Sequence, residues 1–164
     1  MAHYGVAVEY ALHILTRLAR LRLEAPPSAK DLADFEGVPP ASVAKTMTRL
    51  EKAGLVEALE GKGGGYRLAR PAERIRFLDV VDAVEGDKPL FECREVRAKC
   101  VLHGGKPPPY ANLCAIHAVM LSAEQRMREH LAGVSIADIA APLEAATPPQ
   151  RRAVMLRWFA DRKI

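Results

Sequence analysis

Three features of this sequence predict a mainly α-helical fold with one small β-ribbon. Two short amphipathic helices are joined by a tight connection between Gly37 and Pro40, a glycine-rich hairpin follows at 60–65, and a long amphipathic helix begins near Leu113. Helix, tight turn, helix and hairpin in that order spell a winged helix-turn-helix with an α+β wing, and the long helix supplies a C-terminal dimerisation arm. The expected plan is a DNA-binding head over 1–86, a cysteine-containing loop over 87–112, and a dimerisation helix with further helices over 113–164.

Composition bounds the reading. The chain has 164 residues, of which 49% are hydrophobic and 27% charged, values of a globular chain with a sizeable core. The net charge of +4 permits an anionic partner without requiring one. No apolar run reaches membrane-span length and no secretory leader is visible at Met1, so the expected location is cytoplasmic, with no membrane partner. Three cysteines, an odd number, argue in a reducing compartment against a disulfide framework and for metal or redox use.

The first element is a helix over 6–23. Val8, Leu12, Leu15, Ala19 and Arg22 run along one side, widened by Ala11 and Leu18, while Glu9, His13, Thr16, Arg17 and Arg20 take the other. Glu9 and His13 stand at i, i+4 and are therefore neighbours, a solvated polar pair if nothing else engages them. Pro26 and Pro27 form a loop into the head. Ser28 is the N-cap of the next helix, with Asp31 completing a capping box, and Gly37 stops it. Pro40 opens the second head helix, where its missing N–H costs nothing.

That second helix has two faces. Val43, Met47 and Leu50 make an apolar stripe, and Ser42, Lys45, Thr46 and Arg49 form a face of hydroxyls and cations without an acid. Such residues reach base edges and phosphates in a major groove. Gly54 ends the helix, Leu55 to Leu59 and Tyr66 to Leu68 pair as strands, and the turn between them is a wing tipped by Lys62. The expected duplex contacts are thus Ser42, Lys45, Thr46, Arg49 and Lys62. The glycines do not make a dinucleotide fingerprint, because a strand follows them. A helical hairpin followed by an unrelated ribbon is the bland alternative, and the ordered arrival of turn, stripe, cationic face and wing favours the reading head.

A helix over 77–84 turns Leu78, Val81 and Val84 inward and ends at Gly86. Residues 87–112 are irregular, and a segment of this length inside a compact protein is functional or disordered. The long helix over 113–131 carries the stripe Ile116, Met120, Ala123, Met127 and Leu131, which serves a dimer or the chain's own core equally well. Ser135 and Asp138 start a short helix, Pro142 and Pro148-Pro149 bracket a linker, and Thr147 caps a last helix ending in Trp158 and Phe159.

The cysteines read Cys93-x6-Cys100-x13-Cys114-x2-His117. Thiolate and imidazole are ligands for zinc and for iron–sulfur clusters, though no pair has zinc-knuckle spacing. Cys114 lies at a helix start, where backbone N–H groups favour a thiolate. The competing reading makes Cys114 a small buried hydrophobe and the other two incidental loop thiols.

Several stretches together resemble the Rrf-two family of winged-helix regulators over nearly the whole chain. They are Glu9-Tyr10-Ala11-Leu12, Ala53-Gly54-Leu55-Val56, the run from Gly61 to Leu68, the run from Asp79 to Gly86, and the cysteines ahead of a long helix. The resemblance implies a homodimer with crossed long helices that binds an operator in double-stranded DNA and senses redox state, nitric oxide or iron–sulfur supply through a cluster. It is closest to a member whose 2Fe–2S cluster is held by two cysteines of one subunit and by a glutamate and a histidine of the other's first helix. Here that set is Glu9, His13, Cys93 and Cys114. Other members imply three cysteines with an acid around a 4Fe–4S cluster, or three cysteines with a histidine around a 2Fe–2S cluster, which makes Cys100 and His117 the alternates. The long gap before Cys114 departs from those members. The expected function is a DNA-binding transcriptional repressor, not an enzyme, since no substrate pocket motif is present. The alternative is a clusterless regulator controlled by thiol oxidation, zinc or a partner protein.

Overall fold

A computed structural model of the chain describes residues 3–21, 23, 25–61, 64–101, 104, 106 and 113–163. The chain divides into two units, Met1–Gly86 together with Leu131–Ile164, and Asp87–His130.

In the first unit, helix α1 (Val6–Arg20) is followed by α2 (Ala29–Glu36), α3 (Pro40–Lys52), the strands β1 (Val56–Leu59) and β2 (Gly65–Leu68), and α4 (Phe77–Glu85). After α5 (Ala115–Gly133), which begins in the second unit, come α6 (Ile136–Ala146) and α7 (Pro149–Ala160). The winged helix-turn-helix expected from sequence is present.

The caps of the head are those the sequence specifies. Asp31 N–H donates to Ser28 Oγ at 3.1 Å, and Ser28 N–H donates to Asp31 Oδ2 at 2.9 Å. Gly37 adopts φ +68°, the left-handed conformation that ends α2 and turns the chain into Pro39 and Pro40. Val43, Met47 and Leu50 of α3 are fully buried, with Leu32 and Ala33 of α2 and Ile14 and Leu15 of α1. Burying each large aliphatic side chain contributes about 1.5–3 kcal/mol, so this stripe fixes the rotation of α3 about its axis.

The wing is an antiparallel pair with Val56 opposite Leu68 and Leu59 opposite Gly65. A two-stranded ribbon is marginal by itself. This one is anchored by Tyr66 N–H donating to the Pro27 carbonyl at 2.8 Å. Gly65 permits that approach, because a Cβ there would stand 2.3 Å from the Pro26 carbonyl oxygen. The strand pairing starts at Val56, although Leu55 is buried beside it.

Five expectations are corrected. Helix α1 stops at Arg20, since Leu21 is already extended (φ −84°, ψ 125°) on the way to the Pro26 loop. Its buried side is broader than one stripe: Ile14 is fully buried and Thr16 is 8% exposed, because α3, α4 and α6 all pack on α1. Arg22 lies outside the described residues. In α4 the buried residues are Val80, Val81 and Val84, with Leu78 half-buried. Pro142 does not break the chain: α6 runs through it to Ala146, and Asp138, whose carbonyl loses its helical donor, is exposed. Thr147 is not the cap of the last helix. It closes α6, donating to the Leu143 carbonyl at 2.6 Å and accepting from Arg20 Nη2 at 2.6 Å, while Pro148 precedes α7.

Helix α7 packs where sequence could not place it. Met155 and Phe159 are buried, and the Phe159 and Trp158 rings stand 4.9 and 5.0 Å from Phe35 of α2. Arg17 of α1 ties the three helices, donating to Glu36 Oε1 at 2.8 Å and to Met155 Sδ at 3.2 Å.

The second unit has little regular structure before α5. Leu90 N–H donates to Glu124 Oε2 at 3.1 Å, and a short 3-10 turn spans Val96–Lys99. No described residue of α5 is fully buried, and Ile116 and Val119 are 69% and 68% exposed. The predicted stripe divides: Leu131 packs against this chain's own core, Met120 and Met127 are half-buried, and Ile116 and Ala123 face outward.

Candidate nucleic-acid interface and cysteine segment

With Val43, Met47 and Leu50 locked into the core, the outward line of α3 is set by helical phase. It runs through Ala41, Lys45, Thr48 and Lys52, with Ser42 and Arg49 exposed on its flank. Thr46, expected among the duplex contacts, is 3% exposed. Its hydroxyl donates to the Ser42 carbonyl at 2.9 Å, the back-bonding open to a threonine inside a helix. Thr48 and Lys52 are exposed on the outward line of α3. Stepping i+3 and i+7 from Lys45 would have found both.

Arg49 has a double attachment. The residue is exposed, yet its Nη1 donates to the Val84 carbonyl at 2.6 Å, in the last turn of α4. A helix end leaves such carbonyls without a helical donor, and a guanidinium satisfies one with further N–H groups to spare. The recognition helix is thus tied to the C-terminus of α4. Lys62 lies outside the described residues. On the wing itself Arg67 is exposed and pairs across the ribbon with Glu57.

The cysteines all lie in the second unit, none in a disulfide. Cys93 and Cys114 are half-buried and Cys100 is exposed. At the start of α5 the backbone N–H groups of His117, and next Ile116, hold the Cys114 thiol below its ordinary range; desolvation opposes them, Arg97 adds to them and Glu95 works against them. This is the thiolate-favouring helix start read from the sequence. The Phe91 and His117 rings lie 6.0 Å apart, which brings the segment leading to Cys93 to the first turn of α5. Between Cys93 and Cys100, Glu95 is the one described non-glycine residue with positive φ, +46°. Arg97 grips its carboxylate with Nε at 2.5 Å and Nη2 at 2.9 Å, and this bond is the main cause of its lowered pKa.

Glu9 and His13 are both exposed on α1, one turn apart. They share the wall of a cleft of about 600 Å³ whose other walls include Val8, Leu12, Phe77, Ile139 and Leu143. Among the described residues no three His, Cys, Asp or Glu side chains gather as a metal site within one chain. The donor chemistry nevertheless fits an iron–sulfur cluster: two half-buried thiols, one of them acidified, and an accessible carboxylate–imidazole pair.

Comparison with known proteins identifies the family and the fold. The Rrf2 family model, described as an iron-dependent transcriptional regulator, matches residues 5–142. The transcriptional repressor NsrR of Streptomyces coelicolor is 29% identical over 81% of this chain and 84% of its own. Among solved structures, CymR of B. subtilis, the global cysteine regulator, superposes with a TM-score of 0.68 at 23% identity, covering 86% of this chain and 98% of CymR. IscR of T. potens gives 0.66 at 23% identity, covering 88% and 90%. The two structures share the fold described above.

Proposed function

The chain belongs to the Rrf2 family of DNA-binding transcriptional regulators, and from that premise we propose that it is a homodimeric repressor whose hold on its operator is set by a 2Fe–2S cluster. The observation that carries the reading is Cys114: its thiol is acidified by backbone N–H groups at the start of α5, a helix whose flank at Ile116 and Val119 is bare. An exposed apolar helix flank favours a second copy, because burying it removes surface from water.

Cys93 and Cys114 of one subunit, with Glu9 and His13 of the partner subunit, form the proposed ligand set. When bound, a 2Fe–2S cluster supplies a one-electron redox centre. The chain's own residues then carry the change. Gly86 joins the cysteine unit to α4. Two residues earlier, the Val84 carbonyl accepts from Arg49 of α3, and the Glu85 carboxylate accepts the Gly5 N–H at 2.7 Å, just ahead of α1. A strain entering at Gly86 is thereby transmitted to the reading helix and to the helix that holds Glu9 and His13.

The test is anaerobic purification with iron and sulfide counted per chain, for the wild type and for alanine at Glu9, His13, Cys93, Cys114 and Cys100. The first four substitutions should each lose or alter the cluster, and Cys100→Ala should keep it. Loss in Cys100→Ala with retention in His13→Ala replaces the set by three cysteines, with His117 as the alternate fourth ligand. A colourless wild type whose DNA binding still responds to thiol oxidation makes the chain a clusterless regulator.

A further inference from the structure

The charge of this chain is unevenly placed. It carries 24 Lys and Arg against 20 Asp and Glu, and five of those cations but one of those acids lie in residues 148–164. The preceding 147 residues therefore hold 19 of each and are neutral. All of the net +4 resides in the segment of α7, which follows the last residue matched by the family model, Pro142.

The C-terminal half of α7 packs on the first head helix, where the Trp158 and Phe159 rings meet Phe35. Near its C-terminus Arg162 pairs with Asp34 at 2.9 Å and stands 3.9 Å from Asp31, while toward its N-terminus Met155 meets Arg17, which holds Glu36 at the far end of α2. When a helix-turn-helix docks on DNA, its second helix enters the major groove and its first crosses the sugar–phosphate backbone. A basic helix fixed to that first helix is carried beside the phosphates. Two arginines of this segment pair within the protein, Arg152 of α7 with Glu144 at 2.8 Å and Arg162, just beyond α7, with Asp34. Arg151 and Arg157 are exposed and pair with no described residue.

We propose that α7 is a second duplex-binding element, in which Arg151 and Arg157 contact phosphates flanking the bases read by α3. The proposal rests on the chain's binding of operator DNA and adds a contact outside the reading head. These contacts carry no sequence information; they lengthen the footprint and steepen the salt dependence.

The experiment uses the full-length protein and a duplex that the wild type enriches from a random-sequence library, at its minimal length and with one helical turn added at each end. Binding is followed by fluorescence anisotropy across a salt series for the wild type, Arg151→Gln/Arg157→Gln and Arg151→Glu/Arg157→Glu. Circular dichroism and thermal melting accompany each variant, and unchanged melts are expected because both side chains point into solvent. The wild type should bind the longer duplex more tightly. Both variants should lose that gain, with a log–log salt slope shallower by about 3.6 for a dimer making four such contacts, or about 0.9 per phosphate contact. Equal wild-type affinity for both duplexes, or wild-type slopes in both variants, overturns the proposal and leaves reading by α3 intact. Failure of the wild type to enrich any duplex refutes DNA binding by this protein, and the proposal with it.

Discussion

Replacing Phe159 by alanine tests how the C-terminal helix is held. Phe159 is 1% exposed, and its ring stands 4.9 Å from Phe35 and 4.8 Å from Trp158. Truncating a buried phenylalanine costs about 3–5 kcal/mol, the lost transfer of the ring plus the cavity left behind. In a chain of this size 1 kcal/mol moves the melting temperature by about 2–4 °C, so a fall of about 6–20 °C is expected. The assay is thermal unfolding at fixed protein concentration, with tryptophan emission recorded alongside. Trp158 is the single tryptophan of the chain, so a red shift reports exposure at this site and nowhere else. Val154→Ala is the control: Val154 is on the same helix but 68% exposed, and its loss should stay within about 0.5 kcal/mol. If Phe159→Ala melts with that control and its emission does not move, α7 is not packed on α2 and the reasoning fails.

Two further predictions concern the site. Arg49→Ala should weaken DNA binding and also lower stability by about 1 kcal/mol, because it strips a charge-assisted donor from the Val84 carbonyl; Lys45→Ala, on an exposed residue of the same helix, should reduce the salt slope of a dimer by about 2, about 1 per subunit, without moving the melt. Identical melts for the two variants would show that the Arg49–Val84 bond contributes nothing. The Cys114 thiol, lowered by the N–H groups of His117 and Ile116, should be alkylated in the folded apoprotein with a pH midpoint below that of the same cysteine in denaturant. The sign follows from linkage: a folded value under the unfolded one contributes stability that is complete above the unfolded value and is lost as pH falls through the folded one. Coincident profiles in the folded and unfolded protein contradict it.

Local physics made much of this protein readable from its sequence. The capping boxes at Ser28 and Ser135, the left-handed Gly37, Pro40 at the first turn of α3 and the buried stripe Val43, Met47 and Leu50 each follow from residues within a turn or two of one another. Periodicity fixes such features without reference to the rest of the chain. The acidified thiol at Cys114 is of the same kind, since the N–H groups acting on it come from the next three residues.

Tertiary structure decided what depends on distant partners. Thr46 is buried because its side of α3 is covered, which a four-residue pattern of hydroxyls and cations could not reveal. Arg49 acquired a carbonyl 35 residues away, and Arg17 a partner 138 residues away. The stripe of α5 served a dimer or the chain's own core equally well by period; Leu131 packs on that core while Ile116 and Ala123 are exposed, since amphipathicity specifies that a face is buried and not against what. Helix α7 is the converse: its sequence mixes apolar and cationic residues, and only the packing of Phe159 on Phe35 assigns Phe159 to the reading head, while Arg151 and Arg157 are left to the solvent.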